Sequence, residues 1–140
     1  MVFRNEYYFL NNMYSCSVTV DICGKVLTFK CAESAYQAFK CPDYAEKFVP
    51  LNGYDAKKLG KTVPLIFDWN NIKADIMRNV VTCKFNQNPD LFYKLQQIDG
   101  DIVEENTWGD YYFGMYRTHN GLYGKNVLGK ILMSIRDAER

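Results

Sequence analysis

The sequence predicts a helix-rich α+β domain with a small N-terminal β-hairpin. Three observations carry this. Period-two alternation is confined to residues 17–30, helical apolar rows run through 70–85 and 127–135, and proline or glycine separates the segments. At 140 residues the chain is read as one domain, 1–140, long enough to bury a core.

Ser17 to Asp21 and Lys25 to Lys30 alternate across Cys23-Gly24, which reads as a hairpin. A helix over Glu33–Lys40 stops ahead of Cys41-Pro42, because a residue before proline is pushed out of the helical region. A short helical stretch at Tyr44–Phe48 is broken by Pro50, and Tyr54–Leu59 is a brief helix with Gly60 as its C-terminal cap. The strongest helix, Asn70 to Phe85, carries the apolar rows Ile72, Ile76, Val80 and Met77, Val81, Phe85. Asn88-Pro89-Asp90 starts a helix over Leu91–Gln97. Strands are expected at Ile102–Val103 and Tyr111–Met115, turns at Asn120-Gly121 and Tyr123-Gly124, and a last amphipathic helix over Val127–Ile135.

Composition excludes several classes of function. The chain is 48% hydrophobic and 24% charged with a net charge of +1, so no broad field favours long nucleic acid or an anionic membrane. No run approaches the ~18 apolar residues of a membrane span. The odd count of five cysteines, without CxxC or a secretory signal, predicts reduced thiols in a cytoplasmic protein. The single histidine, His119, lies in a Thr-His-Asn-Gly turn without a ligand-spaced partner, so no metal site is expected.

Glu33, Tyr36, Gln37 and Lys40 share one helical face at i, i+3, i+4 and i+7. An acid, a phenol, an amide and an amine on one stripe form either a solvated charge ladder or the floor of an active site. Spacing alone leaves both open. Lys57 and Lys61 flank Gly60 as a solvated basic face or as phosphate contacts. Trp69 and Trp108 suit either a core or stacking on a planar base.

Seven clusters lie in order: Phe9-Leu10-Asn11-Asn12; Glu33-Ser34-Ala35-Tyr36-Gln37-Ala38-Phe39-Lys40; Ala56-Lys57-Lys58-Leu59-Gly60-Lys61; Asp68-Trp69; Lys84-Phe85-Asn86-Gln87-Asn88-Pro89; Asn106-Thr107-Trp108-Gly109-Asp110; and Asn126-Val127-Leu128-Gly129-Lys130-Ile131-Leu132-Met133. In this order they resemble the NADAR, or YbiA-like, family over nearly the whole chain. The resemblance implies a domain of the YbiA-like type. It also implies an N-glycosidase that hydrolyses the base–ribose bond of a ribosyl or ADP-ribosyl substrate. That substrate is either a phosphoribosylaminopyrimidine of riboflavin synthesis or an ADP-ribosylated guanine, the latter free or carried in nucleic acid. No cofactor or metal is implied.

On that resemblance Glu33, Lys40 and Asp110 are the catalytic candidates. A carboxylate stabilises the oxocarbenium-like charge at the anomeric carbon or activates water. An amine positions the substrate or captures the ring-opened aldehyde as a Schiff base. Asn12, Tyr36, Gln37, Lys57, Trp69 and Trp108 are the substrate-binding candidates. The chain departs from the family pattern at Ser34, where histidine is usual, at Ile66, where arginine is common, and at Asn11 and Met13. The first of these removes a possible acid–base or ligand group. The alternative reading is a module that binds ADP-ribose or an NAD-like ligand without turnover.

Overall fold

The computed structural model describes residues 1–138, so the last two positions of the expected 1–140 domain lie outside the described residues. The helix-rich α+β class holds. The chain gathers into two compact units, one of Asn12–Pro89 and one of Met1–Asn11 with Asp90 onward.

In the Asn12–Pro89 unit, β1 (Val18–Ile22) and β2 (Lys25–Phe29) pair antiparallel, with Val18 opposite Phe29 and Ile22 opposite Lys25. Cys23 (φ 52°) and Gly24 (φ 89°) make the left-handed pair that a two-residue hairpin needs, and Asp21 Oδ1 accepts from the Gly24 N–H at 2.7 Å. Val18, Val20 and Ile22 point inward, whereas only Phe29 of β2 is buried. Helix α1 (Ala32–Ala38) follows, then a 3-10 turn over Pro42–Phe48 and α2 (Gly53–Gly60). Asn52 caps α2 by accepting from the Asp55 N–H at 2.8 Å.

One face of α2 is made of Gly53, Ala56 and Gly60, all buried, and this small-residue face lets α1 approach closely. A Cβ on Gly53 would run into Met13 Sδ and lie 3.3 Å from both Cys31 Sγ and Glu33 Cβ. Gly60 differs from its expected role. It is the last helical residue, its φ lies outside the left-handed region, and the cap position is Lys61 at φ −74°. Glycine is therefore present for space and not for backbone conformation.

Helix α3 (Trp69–Gln87) brackets the expected segment and buries Met77, Val80, Val81 and Phe85; Ile72 and Ile76 are only half-buried. The motif that ends it ties α3 to β1. Gln87 Oε1 accepts from the Thr19 N–H at 2.7 Å and Gln87 Nε2 donates to the Thr19 carbonyl at 2.8 Å, standing in for a neighbouring strand. Asn88 Nδ2 donates to the carbonyls of Ser17 (3.0 Å) and Lys84 (2.8 Å), so this side chain closes the end of α3.

The second unit holds a 3-10 turn over Asn5–Leu10, α4 (Pro89–Gln96), a three-stranded sheet and α5 (Val127–Asp137). The sheet runs β3 (Glu105–Asn106), β4 (Met115–Thr118), β5 (Gly121–Tyr123), with β3 parallel and β5 antiparallel to β4. Two expected strands are displaced. Ile102 is buried and its carbonyl accepts from Asn126 Nδ2 at 3.0 Å, beside a Gly129 whose Cβ would strike that oxygen. The N–H groups of Tyr112 and Phe113 are taken by Asp110 Oδ1, both at 3.0 Å, so pairing begins only at Met115. Tyr123, expected in a turn, ends β5, and His119 is exposed in the turn between β4 and β5. Arg136, 5% exposed, donates to the carbonyls of Ile98 (3.0 Å) and Gly100 (2.6 Å) and holds α5 to that loop.

Lys84 is wholly buried, its Nζ 5.2 Å from the Phe85 ring centroid and 5.8 Å from that of Tyr14. Burial pushes its pKa from 10.5 down to about 8, against the opposing pull of Cys16 and Cys31. Between those values the unfolded chain holds a proton that the folded chain has released, so stability rises with pH from about 8 and is flat for this group below it. Urea titrations at pH 7.5 and pH 10 are expected to show wild type gaining about 2 kcal/mol on Lys84→Met over that interval. An unchanged difference would contradict the burial of a strained ammonium.

Candidate functional site

Every residue of α1 is buried, although the helix carries Glu33, Ser34 and Gln37. Each polar side chain is accounted for differently. Gln37 Nε2 donates to Glu33 Oε1 at 2.8 Å across one helical turn. Ser34 Oγ donates to the Leu51 carbonyl at 2.9 Å and lies 3.3 Å from Cys31 Sγ. The departure at Ser34 therefore places its hydroxyl in the packing behind α1. The Glu33 N–H is held by the Asn12 carbonyl at 2.9 Å.

Lys40 follows α1, half-buried, with the Ile66 N–H bonded to its carbonyl at 2.8 Å. The main chain of Ile66 thus fastens the α2–α3 loop to the end of α1. Burial lowers the Lys40 pKa, the Glu33 carboxylate raises it, and the nearby lysines 57, 61 and 73 lower it again. The charges that shift this amine include one acid and three other lysines. Lys57 and Lys61 are exposed on and just after α2, and Lys73 is half-buried on α3.

Trp69 and Tyr36 are both 6% exposed and pack with ring centroids 5.3 Å apart at 52°. Lys73 and Met77 follow Trp69 at successive i+4 positions, which extends that contact along one face of α3. Met77 Sδ lies 3.3 Å from Asn12 Nδ2, and Asn12 Oδ1 is buried without a hydrogen-bond partner. The same is true of Gln37 Oε1.

The Asn12–Pro89 unit therefore gathers Asn12, Glu33, Tyr36, Gln37, Lys40, Lys57 and Trp69. Trp108 and Asp110 belong to the other unit. Trp108 is 65% exposed. The Asp110 main chain is clamped by the Asn106 side chain, at 3.0 Å through its carbonyl and 3.1 Å through its N–H. Its own Oδ1 organises the turn to Phe113. Among the described residues no group of three His, Cys, Asp or Glu is disposed to hold a metal ion, and no helix is long and apolar enough to cross a membrane. Sequence reading missed Lys73, whose signal was its place one turn after the Asp68-Trp69 pair. It also passed over the packing role of Gly60.

Comparison with known proteins places these features in context. A model described as the NADAR domain matches residues 2–139. The N-glycosidase YbiA of Shigella sonnei is 30% identical over 138 residues, covering 95% of this chain and 82% of that protein. A riboflavin biosynthesis protein of Vibrio vulnificus is 30% identical over 134 residues, 92% of this chain but only 35% of its own length. A chloroplastic riboflavin biosynthesis protein of maize matches at 32% identity over 81% of this chain and 20% of its own. The chain thus spans about a third and a fifth of those two relatives. The NMR structure of Escherichia coli YbiA superposes with a TM-score of 0.79 at 26% identity, covering 99% of this chain and 82% of that one.

Asp110→Ala is expected to lower the free energy of unfolding by about 1–2 kcal/mol, because two backbone N–H groups lose their acceptor. Asp110→Asn, which keeps an accepting oxygen, is expected to stay within about 0.5 kcal/mol of wild type in the same urea titration. Equal losses in both variants would show that charge, and not the turn, is what Asp110 supplies to stability.

Proposed function

This chain belongs to the NADAR domain family, and from that premise we propose that it is an N-glycosidase hydrolysing the bond between base and ribose in a phosphorylated, nucleotide-like substrate. The observation that carries the reading is the buried Glu33 carboxylate, held by Gln37 at 2.8 Å and neighboured by Lys40 within a lysine cluster. In the reaction the C1′–N bond breaks with its electron pair leaving on the base nitrogen. Positive charge grows at C1′ and the ring oxygen. Water adds at C1′, and its proton passes to the departing base. Glu33 stabilises the cation, takes the proton of the attacking water and hands it on to the base nitrogen, ending ionised as it began.

Lysines 57, 61 and 73 supply positive charge for the phosphate, and the unpartnered Asn12 Oδ1 accepts from a sugar hydroxyl. Trp69 acts by fixing Tyr36, which shares the α1 face with Glu33. Asp110 organises the turn to Phe113 within its own unit. One observation favours a second duty for Lys40. Its lowered pKa makes the neutral amine more accessible, and that amine can condense with the ring-opened C1′ aldehyde, releasing water, before hydrolysis reverses the step.

Chromatography of incubations with phosphoribosylaminopyrimidine and with ADP-ribosylated guanine is expected to show released base. Glu33→Gln should lower kcat by about 10²-fold or more, and Lys57→Ala should raise KM by about tenfold with a smaller change in kcat. Ligand binding without any free base would instead establish a non-catalytic module. Borohydride trapping and mass spectrometry decide the Schiff base: no adduct on Lys40 restricts that amine to positioning.

A further inference from the structure

The Gln37 amide has a forced orientation. A carboxylate only accepts hydrogen bonds, so Nε2 faces Glu33 and Oε1 points the opposite way. That oxygen is buried without a hydrogen-bond partner, and it lies where a side chain on residue 60 would begin. A Cβ on Gly60 would run into Gln37 Oε1 and stand 2.9 Å from Cδ. The backbone of Gly60 is ordinary right-handed helix, so alanine would meet no conformational objection there. In an α-helix alanine is the more stable residue by roughly 1 kcal/mol where space allows.

We propose that Gly60 is a positioning residue for Glu33: by leaving the volume over its Cα empty, it seats the Gln37 amide so that the N–H is held on the carboxylate. The inference rests on the N-glycosidase reading for its catalytic consequence, but the contact itself does not. Gln37 is 3% exposed and lies between α1 and α2, so a displaced amide has no solvent to swing into. Adding one methyl group at residue 60 lifts the amide off Glu33. The carboxylate then loses a donor that favours its charged form and its aim at the reacting carbon.

A double-mutant cycle tests this with Gly60→Ala, Gln37→Ala and the pair. Gly60→Ala alone is expected to lower kcat about tenfold and to move the acid limb of the kcat/KM profile to higher pH by about one unit. In the Gln37→Ala background, where there is no amide to displace, the added Gly60→Ala should change kcat by less than about twofold. Gln37→Asn/Gly60→Ala, with a shorter amide, serves if Gly60→Ala alone folds poorly. A substrate-free readout separates this inference from the function itself. The Gln37 side-chain amide resonance should shift with pH as Glu33 titrates in wild type and lose that dependence in Gly60→Ala. Equal losses from Gly60→Ala with and without the Gln37 amide, or an amide titration unchanged by it, would overturn the role of Gly60. Absence of base release by wild type would overturn the enzyme reading, and the amide titration alone would then decide whether Gly60 seats Gln37.

Discussion

Burial of helix α1 around its whole circumference is the constraint from which the Asn12–Pro89 unit follows. A buried helix of seven residues carrying a carboxylate, a hydroxyl and an amide must find its hydrogen bonds inside the protein, because each orphaned group costs about 1–3 kcal/mol. Gln37 answers Glu33, the Leu51 carbonyl answers Ser34, and the Asn12 carbonyl answers the Glu33 N–H. The neighbouring helix must then come close without intruding. The Gly53–Ala56–Gly60 face of α2 does this, its two glycines lying against Glu33 and Gln37. The polar face of α1 and the small face of α2 are two halves of one solution.

The lysines show the same physics with two outcomes. Lys84 is sealed among Tyr14, Phe85 and the thiols of Cys16 and Cys31, where its charge is unfavourable and where the motif around it holds the fold together through Gln87 and Asn88. Lys40 is only half-buried, and its acid neighbour partly offsets what burial removes. Depth and partner, more than residue type, separate a strained core ammonium from an amine available to a ligand.

Much of the element order was legible because it rests on local signals. Alternation with a Cys-Gly turn gave the hairpin and apolar periodicity gave α3 and α5, whereas α1 ends at Ala38, two residues short of the expected Lys40. The stripe of Glu33, Tyr36 and Gln37 was legible as a face, although Lys40 lies past the end of α1; its burial was not legible, since polar residues on a short helix carry no mark of what covers them. Gly60 looked like a left-handed cap because glycine after a helical run commonly is one. Only the Gln37 oxygen above it reveals the packing reason. The strands expected at Ile102–Val103 and Tyr111–Met115 failed because Asn126 and Asp110, side chains distant or adjacent in sequence, take the backbone groups that pairing would need. Such substitutions of side chain for strand leave no periodic trace.

A net charge of +1 conceals the feature that bears most on the proposed reaction. Glu33 is the single acid among the charges acting on Lys40, beside lysines 57, 61 and 73. Under the proposed reaction, an oxocarbenium forming near such a cluster would be opposed by its positive charge. A substrate phosphate seated among the lysines reverses the balance, because its charge of about −2 at neutral pH neutralises the cations that would repel C1′. In that proposal Glu33 is then left as the local field at the breaking bond. Under the proposed reaction, this charge placement would favour phosphorylated ribosides over nucleosides without any contact to the base.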